Sequence, residues 1–295
     1  MSQKSGKRRV IWLHIGHGKT GTTALQQHFV ERALLDPGFH YPSAGRMPSG
    51  AHHRLFPLRD QNALRREAKT LIPRVIEEIH ARPDARRVVL SSEHLCYFFP
   101  DQVAELADAF SEFDIRLLYY VRRQDELIDS AYRWKLVQSP QSIPDLEEFI
   151  DRNIHAFDFM KRLAPWRSNF RDDQFNVRLY DTRRCVDIVA DALPTLGLEP
   201  MDIPSDGARK RLSLDARMTT VLEAHDRLYG VTPLREKFIE ALHQTRERFP
   251  TKDKHGVIGP ELRARIMKRY ATSNAEVSRL FLSEEDGAAL QVSRD

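Results

Sequence analysis

The sequence predicts an α/β fold: three layers, α/β/α, around a central parallel sheet, with a helical region toward the C-terminal end. Three observations predict it. Short apolar runs near Val10, Val88, Ile115 and Phe175 read as buried strands and alternate with segments of helical periodicity. The first run passes through a loop of glycine, lysine and threonine straight into a helix. From Asp202 onward the strand signal stops, and residues 214–228, 234–249 and 261–280 show helical spacing with charged faces.

Each element follows from local pattern. Residues 22–35 read as a helix with Leu25, Phe29 and Ala33 on its inner face, ended by Pro37-Gly38. Residues 39–47 hold Tyr41-Pro42 and Gly45 and read as an irregular loop. Residues 64–80 are amphipathic, with Pro73 placed to split them. A strand at Val88, a helix over 102–110, a strand over 115–121 and a helix over 126–136 follow. Residues 139–144 read as a linker, and 146–166 as helix interrupted at 153–157. A strand over 175–180, Asp181 as a helix cap and a helix over 188–196 close the alternating part. Pro233 and Pro260 suit the starts of later helices.

The loop carries the chemistry. Gly16, Gly18 and Gly21 let the backbone curl so that N–H groups converge, and the helix from Thr22 adds the positive end of its dipole. Lys19 adds a full charge, and Thr20, Thr22 and Thr23 add hydroxyl donors. Such a set suits a phosphate or sulfate. The plainer alternative is an ordinary strand-to-helix turn. A nucleoside-triphosphate loop of the G-x-x-x-x-G-K-[ST] kind needs glycine where Leu13 stands.

Lys19-Thr20-Gly21-Thr22-Thr23 after His14-Ile15-Gly16 resembles the 5′-phosphosulfate loop of sulfotransferases, which use 3′-phosphoadenosine 5′-phosphosulfate (PAPS). The strand over 115–121 ends in Arg122, and Ser130 stands eight positions on in the next helix. That arrangement is similar to the pair with which the family grips the 3′-phosphate. Gln124 stands where many members carry proline, and the Arg-Arg-Gln-Asp-Glu run resembles bacterial, soluble members. Without the resemblance, Arg122 reads as part of a solvated turn.

Glu93 follows the strand at Val88, at the carboxyl edge where ligands bind in open sheets. It resembles the glutamate base of glycan-type sulfotransferases. Equally, Ser91 or Ser92 caps a short helix with Glu93 in its first turn. His94, His52 and His53 are rival bases; His52, His53 and Tyr41 are also candidates to line an acceptor cleft. The resemblance implies PAPS as cofactor, 3′-phosphoadenosine 5′-phosphate as product, no metal, and a saccharide, lipid-linked glycan or small-molecule acceptor. Residues 1–295 then form one domain, with a nucleotide-binding core over 1–200 and a helical cap or substrate region over 201–295.

Bulk properties narrow the classes. With 41% hydrophobic and 30% charged residues the chain is an ordinary globule. A net charge of +4 suits anionic ligands, but the basic clusters are short and scattered, so no nucleic-acid partner is expected. Cys96 and Cys185 have no metal-type spacing and imply no disulfide framework. No long apolar run occurs, so a cytoplasmic protein with no membrane span is expected; oligomeric state leaves no sequence signal. Lys252-Asp253-Lys254-His255-Gly256 reads as an exposed charged turn. Two rival functions remain: a kinase or NTPase using ATP and Mg²⁺, and a non-catalytic nucleotide- or glycan-binding protein.

Overall fold

The apolar runs condense into one parallel sheet in a computed structural model of the chain, which describes residues 8–138, 145–181, 184, 187–203, 214–230, 232–249 and 256–291. The expected linker at 139–144, Cys185, and residues 252–255 of the charged turn lie outside them. The elements run β1 (Val10–His14), α1 (Thr22–Leu35), β2 (Phe39–His40), α2 (Asn62–His80), β3 (Arg87–Ser91), α3 (Pro100–Ala109) and β4 (Asp114–Val121). Then come α4 (Gln124–Gln138), α5 (Leu146–Arg152), α6 (Phe159–Arg167), β5 (Phe175–Leu179) and α7 (Ile188–Leu196). The last are α8 (Ala216–Tyr229), α9 (Arg235–Arg248), α10 (Pro260–Phe281) and α11 (Glu284–Gln291).

The strand order is β2-β3-β1-β4-β5, parallel throughout, and helices flank the sheet in a three-layer α/β/α arrangement. Trp12, Val89, Leu118 and Tyr120 pack against Leu25 and Phe29 of α1 and Ile188, Ala192, Leu193 and Leu196 of α7. Ile11, Leu13, Leu90 and Leu117 point the other way and are fully buried or nearly so. Strands covered on both faces must be apolar almost throughout, which is why they read as runs. The central position of β1 puts its outgoing loop beside those of β3 and β4 at the carboxyl edge.

Several expectations change. Pro73 does not split α2, because buried Leu71, Val75 and Ile79 hold its face on either side while Pro73 stays exposed. Phe39 and His40 leave the expected loop to pair with Arg87 and Val88 as an edge strand. Asp181 does not cap α7: Asp187 does, its carboxylate accepting the Val189 N–H at 2.8 Å. Pro260 is the first residue of α10, whereas α9 begins two residues after Pro233.

The chain packs as two units. One falls within Met1–Arg122, Phe159–Pro204 and Ser273–Leu290 and contains the sheet. The other falls within Arg123–Asp158, Ser205–Thr272 and Gln291–Asp295. In this second unit Arg235, 4% exposed, donates to Leu136 O at 2.6 Å and Asp226 Oδ2 at 2.9 Å. A guanidinium that buried persists only because it is paired. Asp129 Oδ1 accepts the Val257 N–H at 2.6 Å, and a Cβ at Gly256 would fall 1.9 Å from the same oxygen.

Candidate anion-binding site

The loop between β1 and α1 starts as a continuation of the sheet. Ile15 N–H donates to Leu118 O at 2.9 Å, and Tyr120 N–H to Gly16 O at 2.9 Å. The chain then turns through left-handed backbone at Gly16, Lys19 (φ 68°) and Gly21 (φ 81°). For lysine that conformation costs on the order of 1–3 kcal/mol and persists only where the surroundings enforce it. At Gly21 a Cβ would also sit 3.1 Å from Ile188 Cγ2, so a side chain there would be both strained and tightly packed.

Thr20 and Arg122 supply part of that enforcement. Thr20 is fully buried and donates its hydroxyl to His17 O at 2.5 Å. In this structure the hydroxyl closes the loop. Arg122, at the end of β4, donates from Nη1 to Lys19 O at 2.9 Å, and its guanidinium lies over the Tyr180 ring at 5.4 Å. Two cationic residues more than a hundred positions apart thus meet at one turn.

The residues present fit a phosphate- or sulfate-bearing group. Gly21 caps α1 without a side-chain hydrogen bond, and the first turn of α1 has no acidic residue. The positive end of the helix is therefore not answered by α1 itself. A Cβ at Gly18 would meet nothing within 4 Å, so the loop backbone is open to close approach there. Thr22 is buried at the mouth of the helix and Thr23 is exposed. Ser130 lies half-buried on α4, in the second unit. Among the described residues no cluster of three His, Cys, Asp or Glu side chains is arranged to hold a metal ion.

Glu93 stands beside the loop: a Cβ on Gly16 would lie 3.4 Å from its Cα. It opens a 3₁₀ turn (Glu93–Tyr97) capped by Ser92, whose hydroxyl accepts the His94 N–H at 3.3 Å. The helix-start reading and the ligand-edge reading therefore describe the same residue. Glu93 Oε2 accepts from Gln26 Nε2 at 3.0 Å and lies 3.5 Å from His53 Nε2. Burial alone would raise its pKa. Hydrogen bonding from Thr22 and Gln26, its own backbone N–H and the charge of His53 outweigh that, so the net shift is downward. Glu93 is thus an ionised acceptor at neutral pH. His53 stacks on His94 with ring centres 3.9 Å apart. Burial lowers both imidazoles; the His94 charge lowers His53 further.

Two of the acceptor candidates lie buried. His52 is fully buried, with Nε2 2.8 Å from Pro42 O and Nδ1 accepting the Ser91 N–H. Tyr41 is 2% exposed and donates to Gly50 O at 2.8 Å. Both hold the loop interior, because a buried polar group must find partners. Of the three, His53 alone retains partial exposure, at 29% of its side chain.

The sequence pattern does not single out Gln26 or Tyr180 as members of this region. Gln26 was within reach: it lies four residues after Thr22 and three before Phe29, on the inner face of α1, where a polar residue needs a partner. Nothing local marks Tyr180 as the platform for Arg122.

No protein-family model matches this chain. No curated protein matches it either. Among solved structures, a sulfotransferase from Alicyclobacillus acidocaldarius is similar, with a TM-score of 0.46 and 16% identity over 79% of this chain and 95% of that one. That likeness is distant, and the fold stated above rests on strand order and register.

Proposed function

We propose that this chain is a sulfotransferase that moves a sulfuryl group from PAPS to a hydroxyl or amine acceptor. The observation that carries the reading is the Arg122 guanidinium donating to the carbonyl of Lys19, in the left-handed turn before a helix whose N-cap, Gly21, makes no side-chain hydrogen bond. Two cations and a helix N-terminus at one turn suit a ligand with two separated anionic groups. When bound, PAPS supplies the activated sulfuryl group. Lys19 and the backbone N–H groups between Gly18 and Thr23 hold its 5′ end. Arg122, a planar fork of donors, holds the 3′-phosphate, which ATP lacks. Fixed donors of this kind lower the barrier mainly by position and charge. Glu93 Oε1 or Oε2 takes the acceptor proton. His53, partly exposed and 3.5 Å away, borders the acceptor.

Calorimetry tests the cofactor assignment. The wild-type chain is expected to bind 3′-phosphoadenosine 5′-phosphate more tightly than ATP with Mg²⁺. Lys19→Ala and Arg122→Ala are each expected to weaken that binding about tenfold or more. Preference for ATP with Mg²⁺ overturns the assignment in favour of a kinase or NTPase. Tight nucleotide binding without sulfation of any acceptor favours a binding protein.

A further inference from the structure

Gln26 is 2% exposed, on the inner face of α1. Its Nε2 donates to Ser91 Oγ at 3.1 Å and to Glu93 Oε2 at 3.0 Å. A carboxylate only accepts, so the amide nitrogen faces Glu93 and both its hydrogens are committed. Ser91 Oγ also lies 2.8 Å from His14 Nδ1. A chain of buried hydrogen bonds therefore runs from His14 through Ser91 and Gln26 to the Glu93 carboxylate. His14 and Ser91 are register partners at the ends of β1 and β3, so the chain is fixed to the sheet. An apolar residue on that face of α1 would avoid the desolvation cost of an amide.

The geometry points to Gln26 as a positioning residue that holds the Glu93 carboxylate in one orientation beside the anion loop. The inference rests on the role proposed for Glu93 above. Gln26 acts through Glu93 and is not itself at the reacting atoms. Among the titratable groups close enough to feel the Glu93 charge are His53, His94, His14, Tyr41, Cys96 and Tyr97. Gln26→Leu removes the amide and none of these groups, so the shift it is expected to cause in Glu93 is read against the lost hydrogen bond.

The test is the Glu93 titration itself, read by NMR on chain labelled with carboxyl-¹³C glutamate and assigned by the signal missing in Glu93→Gln. Gln26→Leu is expected to raise the Glu93 midpoint by about one pH unit. Its affinity for 3′-phosphoadenosine 5′-phosphate is expected to stay within about threefold of wild type, because the loop donors are untouched. An unchanged midpoint in a Gln26→Leu chain that still binds nucleotide overturns the inference. If Gln26→Leu does not fold, Ser91→Ala frees the amide from its anchor. There an upward shift of about half a pH unit supports the inference and no shift overturns it. Failure of the wild-type chain to bind the nucleotide sinks the sulfotransferase reading instead, and leaves the midpoint comparison to decide the positioning role by itself.

Discussion

Lys19 concentrates the opposing demands of stability and binding in one residue. Its charge suits the anion, but its backbone at φ 68° suits glycine. Lys19→Gly and Lys19→Ala both remove the charge, and only glycine relieves the conformation. Urea unfolding is expected to show the glycine variant more stable than the alanine variant by about 1 kcal/mol, with both deficient in nucleotide binding. Equal stability would mean the turn relaxes freely when the lysine is gone. For Glu93, the downward shift keeps the carboxylate ionised at neutral pH. Glu93→Gln is expected to lower turnover about 10²-fold with nucleotide affinity retained, measured on any acceptor the chain sulfates. Near-normal turnover would pass the base role to His53.

At the scale of elements, α1 joins the two halves of the proposed site. Its N-terminus closes the anion loop, and one turn later Gln26 reaches Glu93. Helix periodicity brings these together, since positions 22 and 26 share a face. α2 offers a separate prediction. Pro73 removes one backbone donor from the interior of a continuous helix and is itself exposed. Pro73→Ala is expected to raise stability by about 1–2 kcal/mol, the helical gain being reduced by the greater freedom of the unfolded chain. A lower urea midpoint for this variant would contradict that. Most elements were legible from the chain because their patterns are strong. The spans of α1 and α7 match periodicity to the residue, and the break between α5 and α6 falls where Asn153 to Phe157 lose the helical pattern. The two-residue β2 was not legible, since only pairing with β3 makes it a strand.

For the whole molecule, buried histidines set the response to acid. Burial lowers His14, His40 and His52 from 6.5 to about 4 each. Above the unfolded value of 6.5 they are neutral in both states, and the native fold bears no penalty. As pH falls from there toward 4, the unfolded chain takes up protons that the native chain refuses, so stability declines. Glu93, lowered in the fold, adds to the loss at the acid end of that window as it is protonated. The thermal midpoint at about pH 5 is expected to lie on the order of 10 °C below that at about pH 7. His40 has a buried Nε2 with no hydrogen-bond partner among the described residues. His40→Leu should therefore flatten the acid slope measurably. A slope identical to wild type would show that His40 titrates normally. Among the described residues, no helix is long and apolar enough to cross a membrane.

The chain by itself determined the alternation of strand and helix, the parallel sheet and the lysine-bearing loop, because those are properties of neighbouring residues: periodicity, turn chemistry and apolar runs. The tertiary structure decided which distant groups meet. It brought Arg122 to the carbonyl of Lys19, set Gln26 and His53 around Glu93, and buried His52 and Tyr41 where a cleft was expected. Strand order and register fix such meetings, and neither is written in the spacing of any single segment.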